Sequence, residues 1–347
     1  MSKKQHILVW RLSAMGDVAM TVPVLKEVVK TYPTVQITVV SKPFFKPLFE
    51  SIPNVTFVPA DVKDTHKGIS GLFSLYKELK KDKITHVADL HNVLRSKIIR
   101  GFFKTNLIPI ASIDKGRAEK KELTKDAVKT IQQLKTTHQR YADVFKTLGF
   151  PISLAPIEKN QLELSEKTLS ITGKKKNNWI GIAPFAAFEG KMYPFQLMKD
   201  VLLELSKLNC KIFLFGGGEQ ETKKLQTLSN EIPNSISIAS KLKFKDELSL
   251  ISNLDVMVSM DSGNAHLAAM YGIDTITLWG VTHPYAGFAP YMQPKEHQIL
   301  PDTETYNKLP CSIYGNKIFK GYENVMESIV PEKVVKKVND VIQKKEP

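Results

Sequence analysis

The segment HILVWRLSAMGD, residues 6–17, places an apolar run directly before a loop that contains a glycine. Similar runs recur in the first half as QITVVS, VTFVPA, THVADL and NLIPI, and amphipathic stretches such as LFSLYKELKK and LRSKIIRGFF lie between them. Strands that alternate with helices predict a parallel sheet, because adjacent parallel strands need a long crossover connection. The first half is therefore predicted to be a Rossmann-like α/β domain.

The same alternation starts again after the polar stretch TGKKKNN, residues 172–178, which is predicted to be a linker. WIGIAPF, KIFLFGGG, SISIAS, DVMVSM and TITLWG are the strand candidates of the second half. We therefore expect two doubly wound Rossmann-like domains, over residues 1–171 and 179–330, which face each other across a cleft. A long helix is predicted over 124–148, and a C-terminal helix over 331–347 is expected to pack back on the first domain.

Composition bounds the class of protein. A chain of 347 residues with 42% hydrophobic and 24% charged residues is typical of a globular protein of two domains. No apolar run approaches the ~20 residues that cross a bilayer, and Arg11 interrupts the N-terminal apolar run too early for a secretory signal. Cys210 and Cys311 lie far apart, which disfavours a disulfide scaffold and a zinc site. These features predict a cytoplasmic protein.

The net charge of +14 comes from lysines that are spread along the chain. One interpretation is a set of solvated helix faces. The other is attraction to a polyanion, which means nucleic acid, anionic lipid or a phosphorylated glycolipid. Charge alone leaves these partners open.

The loop RLSAMGD places Asp17 at the start of a helical region, after Gly16. A carboxylate at that position favours a helix N-terminus, so a simple cap explains it as well as a catalytic role does. The loop contains neither G-x-G-x-x-G nor G-x-x-x-x-G-K-[ST], and it is therefore not predicted to hold a dinucleotide or the phosphates of a P-loop.

Three loops of the second half have residues suited to a nucleotide diphosphate. The loop after DVMVSM begins with Asp261, Ser262 and Gly263 and continues into a helix with His266, which presents backbone N–H groups to an anion. Lys191 follows WIGIA, and its ammonium can meet a phosphate. The third loop contains three glycines before a carboxylate that can bind ribose hydroxyls. Each loop alone is weak evidence. Asp261 or Ser262 could be a plain N-cap, and His266 could be an ordinary hydrogen-bonded helix histidine. Surface lysines and glycine turns are common as well.

Taken in order, RLSAMGD, K-x-Y-P, GGGEQE and SMDSGNAHLAAMYGI resemble the signature of the ADP-heptose:lipopolysaccharide heptosyltransferases, glycosyltransferase family 9. The segments DLHNVLRS, residues 89–96, and PCSIYGN, residues 310–316, agree with this resemblance. It covers nearly the whole chain and implies the GT-B fold. It also implies transfer of a heptose-like sugar, with inversion, from a nucleotide-diphosphate donor such as ADP-heptose to a lipopolysaccharide core or related glycolipid.

The resemblance assigns roles to individual residues of this sequence. It makes Asp17 the catalytic base and Lys191 the lysine of the donor phosphate. The ribose carboxylate is Glu221, with the register open to Glu219. Two departures from the family pattern are the alanines at positions 186 and 187, where hydroxyl side chains are frequent, and Tyr193, where tryptophan is usual. The remaining donor-binding residues that it implies are Asp261, Ser262, Gly263 and His266.

The acceptor is expected to be an anionic glycolipid, bound by the first domain through His91, Asn92, Arg95 and Arg117. The sequence contains no D-x-D motif that would hold a divalent ion at the diphosphate. Lys191 and a helix N-terminus can stabilise the leaving diphosphate instead. We therefore expect no metal and no cofactor, no nucleic-acid partner, and peripheral contact with the cytoplasmic face of the inner membrane.

Three other classes of protein share Rossmann-like domains. A nicotinamide oxidoreductase is disfavoured because the motif G-x-G-x-x-G is missing. A nucleotide-sugar epimerase is disfavoured by the sequences of the two motifs that contain Asp17 and Asp261. A non-catalytic GT-B relative would lack a usable base, which the presence of Asp17 disfavours.

Overall fold

A computed structural model describes residues 5–128 and 130–344 of the chain. Predictions that fall on residues 1–4, 129 and 345–347, at both termini and within the expected long helix, lie outside the described residues. The chain divides into two compact units, each built around one parallel sheet.

The first unit comprises Met1–Lys115 and Thr137–Ala155, and the second comprises Gly116–Thr136 and Pro156–Pro347. The first sheet has the strand order β3-β2-β1-β4-β5, and the second has the order β11-β10-β9-β6-β7-β8. All the strand pairs are parallel, which confirms the prediction of two Rossmann-like domains. The strands are β1 (His6–Trp10), β2 (Gln36–Ser41), β3 (Val55–Pro59), β4 (His86–Asp89), β5 (Ile110–Ser112), β6 (Asn178–Ala183), β7 (Cys210–Leu214), β8 (Ser235–Ser237), β9 (Val256–Met260), β10 (Asp274–Leu278) and β11 (Gln298–Ile299).

Helices connect the strands and cover the sheets. They are α1 (Met15–Ala19), α2 (Thr21–Thr31), α3 (Gly68–Lys80), α4 (Leu94–Lys104), α5 (Arg117–Leu123), α6 (Thr137–Thr147), α7 (Glu166–Thr172), α8 (Phe195–Leu205), α9 (Glu219–Glu231), α10 (Phe244–Ser252), α11 (Gly263–Ala269) and α12 (Pro331–Gln343). Short 3₁₀ helices cover Pro43–Leu48, Glu189–Lys191, Pro284–Ala286, Lys295–His297 and Val325–Ser328.

The strands are continuous apolar runs because helices cover both faces of each sheet. All five residues of β9 are buried, and so are four of the five residues of β1. In the first unit, Leu8 and Trp10 share a core cluster with Leu72 of α3 and Phe103 of α4. Both helices therefore pack on the same face of the first sheet.

The domain boundaries differ from the predicted ones. Residues 156–171 belong to the second unit, because Asn160 N donates to Tyr271 O and Leu162 N donates to Ser252 Oγ. The predicted linker, residues 172–178, lies within that unit and includes the last residue of α7 and the first of β6. The sequence did not predict this boundary, because residues 156–178 have no hydrophobic periodicity that would indicate which half of the chain they contact.

Two helix predictions are also wrong. The long helix expected over 124–148 is replaced by α5, which ends at Leu123, and by α6, which begins at Thr137. The C-terminal helix α12 belongs to the second unit, because its apolar side chains join the core of that unit. These side chains are Val334, Val338, Val341 and Ile342.

Candidate functional site

The loop after β1 holds an ion pair at the carboxyl edge of the first sheet. Arg11 Nη2 lies 2.5 Å from Asp17 Oδ2, and the same oxygen accepts from Ala14 N at 3.1 Å. The Arg11 side chain is 8% exposed, whereas that of Asp17 is 25% exposed. Asp17 is therefore a fixed carboxylate that solvent and a substrate can reach.

Two contacts fix Arg11 and the backbone around it. Arg11 Nη1 donates to Leu90 O at 2.7 Å, and its guanidinium lies 5.9 Å from the ring centroid of Tyr141. The Tyr141 hydroxyl donates to Asp17 O at 3.2 Å. Burial alone would lower the pKa of Arg11, but its interactions with Tyr141 and with the Asp17 carboxylate raise it above its ordinary value. A permanently charged partner therefore orients the Asp17 carboxylate.

His91 lies next to this ion pair as a neutral side chain. Its Nδ1 accepts from Leu12 N at 3.4 Å, so its Nε2 carries the proton and can donate. Burial and the positive charges of Arg11 and Lys115 lower the pKa of His91 to about 3. His91 is therefore a hydrogen-bond donor to a ligand and a poor acceptor of a proton at neutral pH.

The other acceptor candidates have different surroundings. Asp89 is fully buried, where it accepts from His91 N and Asn92 N and lies 3.4 Å from Arg100. Asn92 has a φ of 45°, and its amide donates to Ile113 O, so it shapes the loop. Arg95 is exposed in the first turn of α4, on the first unit with His91. His91, Asn92 and Arg95 thus lie together in the loop after β4 and the first turn of α4.

Arg117 lies apart in sequence from the loop and helix turn after β4 that carry His91, Asn92 and Arg95. It is exposed at the start of α5, which lies in the second unit. Its assignment to the first domain is wrong, because the segment 116–136 packs on residues of the second unit, with Leu134 N donating to Tyr285 O and Lys308 pairing with Asp126.

Lys191 and Asp261 meet at the carboxyl edge of the second sheet. Lys191 Nζ donates to Asp261 O at 2.8 Å and lies 3.0 Å from Asp261 Oδ2. The same carboxylate oxygen accepts from Thr282 Oγ1 at 2.9 Å. The lysine side chain is 14% exposed and the aspartate 7%. Asp261 therefore positions the ammonium, which has three donors and retains one for a phosphate.

Gly315 shapes the cradle of the Lys191 side chain. It has a φ of +85°, and a Cβ at this position would lie 2.5 Å from Lys191 Cγ. The loop around it is held by Ser312 Oγ, which accepts from Gly315 N at 2.9 Å. A side chain at position 315 would displace the lysine, so this glycine fixes the direction of the ammonium.

The helix α11 follows Asp261 and begins at Gly263. Ser262 is the residue before it, yet its hydroxyl lies 3.0 Å from Ser259 Oγ and makes no capping hydrogen bond. The alternative of a plain serine cap is therefore wrong, and the first N–H groups of α11 stay without a side-chain acceptor from Ser262. His266 is buried within this helix, at 7% exposure.

The glycine loop after β7 distinguishes the two acidic candidates. Glu221 Oε2 accepts from Gly217 N at 2.8 Å, so its carboxylate turns towards the loop. Glu219 points away, 81% exposed, and pairs with Lys223. Only Glu221 therefore lies against the glycines that let a ligand approach.

The two departures from the family pattern have different surroundings. Ala186 is half-buried and Ala187 exposed in the loop after β6. Tyr193 is buried, and its hydroxyl donates to Ile329 O, so it is a core residue rather than a ligand contact.

Sequence reasoning missed Arg11, Thr282 and Gly315. Arg11 lies in the loop RLSAMGD, Gly315 lies in the segment PCSIYGN, and Thr282 comes four residues after β10 ends. The rule that ligands bind at the carboxyl ends of parallel strands is the signal that points to it.

Among residues 5–128 and 130–344, no three His, Cys, Asp or Glu side chains cluster so that they could hold a metal ion. Within the same ranges, no helix is long and apolar enough to cross a membrane.

Comparisons with known proteins agree with this architecture. A model of the family described as glycosyltransferase family 9 (heptosyltransferase) matches residues 72–313. The lipopolysaccharide core heptosyltransferase OpsX of Haemophilus influenzae is 26% identical over 298 residues, which are 83% of this chain and 82% of that protein.

Two solved structures share the fold over almost the full length. The glycosyltransferase of family 9 from Veillonella parvula has a TM-score of 0.74 and 20% identity, and the match covers 99% of each chain. The ADP-heptose heptosyltransferase II of E. coli has a TM-score of 0.69 and 18% identity, with 99% and 100% covered. The chain thus has the two Rossmann-like domains of the GT-B fold.

Proposed function

Because this chain belongs to glycosyltransferase family 9, the heptosyltransferases, we propose that it transfers a heptose-like sugar from ADP-heptose to a lipopolysaccharide core or related glycolipid. The observation that carries the proposal is the accessible Asp17 carboxylate, fixed by a buried arginine. The names of its relatives, which are lipopolysaccharide heptosyltransferases, support this donor and this class of acceptor.

The proposed reaction is a single displacement. The acceptor hydroxyl gives its proton to Asp17 as its oxygen bonds to the anomeric carbon of the donor, while the bond from that carbon to the diphosphate breaks. Attack from the opposite side inverts the anomeric centre. His91, which is neutral, donates a hydrogen bond to the acceptor, and Arg95 pairs with an acceptor phosphate.

The second unit binds the donor. The leaving diphosphate gains charge, which Lys191 and the N–H groups of Ser262 and Gly263 stabilise. Glu221 accepts from the ribose hydroxyls, Asp261 positions the Lys191 ammonium, and His266 is the remaining donor-binding residue of this loop. This arrangement needs neither metal nor cofactor. The protein would act at the cytoplasmic face of the inner membrane, in peripheral contact with it.

The test combines the purified protein with ADP-heptose and a lipopolysaccharide acceptor that lacks heptose. We expect ADP release that depends on acceptor, a mass increase of the acceptor by one heptose, and an inverted anomeric centre by NMR. An epimerase would alter the nucleotide sugar without acceptor, and a non-catalytic relative would bind the donor without turnover; either result would contradict the proposal.

A further inference from the structure

The outer surface of α3 and α4 in the first unit exposes large apolar side chains. Ile69 is 67% exposed, Phe73 is 42% exposed and Leu94 is 74% exposed. Exposed apolar side chains that stand alone are common on proteins, whereas adjoining ones mark an interaction surface.

The side chains form one surface. Ile69 and Phe73 lie one turn apart on α3, and Leu94, Ile98 and Phe102 follow each other at the same spacing on α4. The rings of Phe73 and Phe102 are 5.3 Å apart between centroids and join the two rows. We name this surface of Ile69, Phe73, Leu94, Ile98 and Phe102 the α3–α4 face.

The charges around this face have one dominant sign. The two helices carry six basic residues and a single acidic one, Glu78. The ammonium of Lys77 lies 4.7 Å from the ring centroid of Phe73, so its stem covers apolar surface while its charge stays outside. The basic residues are Lys77, Lys80, Arg95, Lys97, Lys104 and Arg100, of which Arg100 is turned towards the buried Asp89 and does not belong to the charged surround of the face.

The face also lies near the loops of the first unit that carry Asp17 and His91. A helix that follows a parallel strand begins at the carboxyl edge of the sheet. Leu94, at the start of α4, is three residues from His91. A bilayer against the face would thus lie beside the loops proposed to bind a glycolipid.

We propose that the α3–α4 face docks the protein on an anionic lipid bilayer. Its apolar side chains enter the boundary between headgroups and acyl chains, and the surrounding lysines and Arg95 bind lipid phosphates. This inference deepens the proposed function, because it names the surface through which the protein contacts the membrane. Only the biological purpose of the contact rests on the proposed function. Binding itself is tested without any transfer reaction.

The first experiment is sedimentation with vesicles of phosphatidylglycerol and phosphatidylethanolamine, compared with phosphatidylcholine alone. We expect the unmodified protein to bind the anionic vesicles, and Ile69→Ser/Leu94→Ser to lower the partition coefficient about tenfold. The control is Met292→Ser/Val330→Ser, which removes two exposed apolar side chains, 49% and 50% exposed, from the second unit. Equal loss in both variants, or no binding by the unmodified protein, would overturn the inference.

Phe73 is left unchanged because its ring packs on Tyr76 and Phe102, and thermal unfolding checks that both double variants fold. A second measurement uses Leu94→Cys labelled with an environment-sensitive dye. It is specific because Cys210 and Cys311 are buried. The dye should shift to the blue on anionic vesicles, and the same dye on Met292→Cys should not.

Two further outcomes remain. An unshifted dye at position 94 on sedimented protein, or a dimer that Ile69→Ser/Leu94→Ser converts to monomer, would overturn the inference, since the face would then serve another partner. With ADP-heptose and a water-soluble acceptor fragment, the double variant should turn over normally. If no form of the protein turns over but the vesicle pattern holds, the proposed function fails and the docking surface stands.

Discussion

Each unit has an ion pair at the carboxyl edge of its sheet, and the two pairs are opposite in exposure. In the first unit the base, Arg11, is 8% exposed and the acid, Asp17, is 25% exposed. In the second unit the acid, Asp261, is 7% exposed and the base, Lys191, is 14% exposed. The outer member is thus a carboxylate in one unit and an ammonium in the other.

From this difference we infer that the outer member of each pair is the group that meets the substrate. A buried charge needs a partner, because removing it from water is costly, and so the inner member fixes the outer one. The outer carboxylate suits the acceptance of a proton, and the outer ammonium suits a diphosphate that gains negative charge. The predictions below test whether the two pairs have these separate roles.

The largest effect is expected at the first pair. Asp17→Asn should lower turnover about 10²–10⁴-fold, because the amide cannot accept the proton of the acceptor hydroxyl. Donor affinity, measured by calorimetry with ADP, should stay within about twofold. Asp64→Asn, a change of an exposed aspartate in the same unit, is the control.

Near-normal turnover of Asp17→Asn with saturating acceptor would show that the aspartate only holds its loop. Asparagine can still accept from Ala14 N, but it no longer neutralises the buried Arg11 guanidinium. Both interpretations therefore predict some loss of stability, and only the rate of transfer separates them.

A smaller effect is expected at the second pair, and on binding rather than on rate. Lys191→Ala should weaken ADP binding about 10- to 100-fold, because a charge-assisted hydrogen bond to the diphosphate is lost. Lys223→Ala removes a lysine paired with Glu219 on the surface of the same unit, and should leave affinity unchanged. Equal ADP affinity in all three proteins would exclude Lys191 from the donor site.

Thr282 should show a weaker form of the same effect. Thr282→Val removes the hydroxyl that donates to Asp261 and should raise the KM for the donor about two- to tenfold, with the KM for the acceptor unchanged. Thr282→Ser keeps the hydroxyl and should restore the donor KM. A loss of thermal stability in Thr282→Val without this split between donor and acceptor would assign the hydroxyl to folding alone.

The smallest effect on turnover concerns pH. The pKa of His91 is lowered to about 3 from an ordinary value of 6.5, so the pH profile of kcat/KM between 5 and 9 should have no inflection from His91. His91→Gln should therefore leave the shape of that profile unchanged. An inflection near pH 6.5 that disappears in the variant would contradict a neutral His91.

The same shift predicts a change in stability. The unfolded chain binds a proton at His91 below about pH 6.5, and the folded protein does not bind it until about pH 3. Stability from this group is therefore complete above pH 6.5 and is lost as the pH falls. Between pH 7 and 5, the free energy of unfolding should fall by roughly 1–2 kcal/mol more in the unmodified protein than in His91→Gln.

Strands were the elements that sequence predicted best. HILVW and QITVVS have the bounds of β1 and β2, because a strand buried on both faces requires a continuous apolar run. NLIPI was placed too early, since β5 begins only at Ile110, where pairing with Val87 of β4 decides the bounds. Local composition predicts a strand, and tertiary pairing sets its ends.

The candidate site was predicted in part. The loops that carry Asp17, Lys191 and Asp261 were identified because each follows a predicted strand. The partners Arg11 and Thr282 were missed, because their roles depend on contacts across 6 and 21 positions along the chain, to Asp17 and to Asp261. The exposure of each ion pair depends on tertiary packing, which the spacing of residues in the sequence does not predict.

The segment 116–136 has a consequence for synthesis of the chain. It leaves the ribosome with the first unit, but its partners, among them Tyr285 and Lys308, are made about 150 residues later. At ~5–20 residues per second, the segment waits roughly 10–30 s before it can dock. During that interval we expect this lysine-rich stretch to be accessible to proteases and chaperones. Its exposure during synthesis should then shorten as the second half is translated faster.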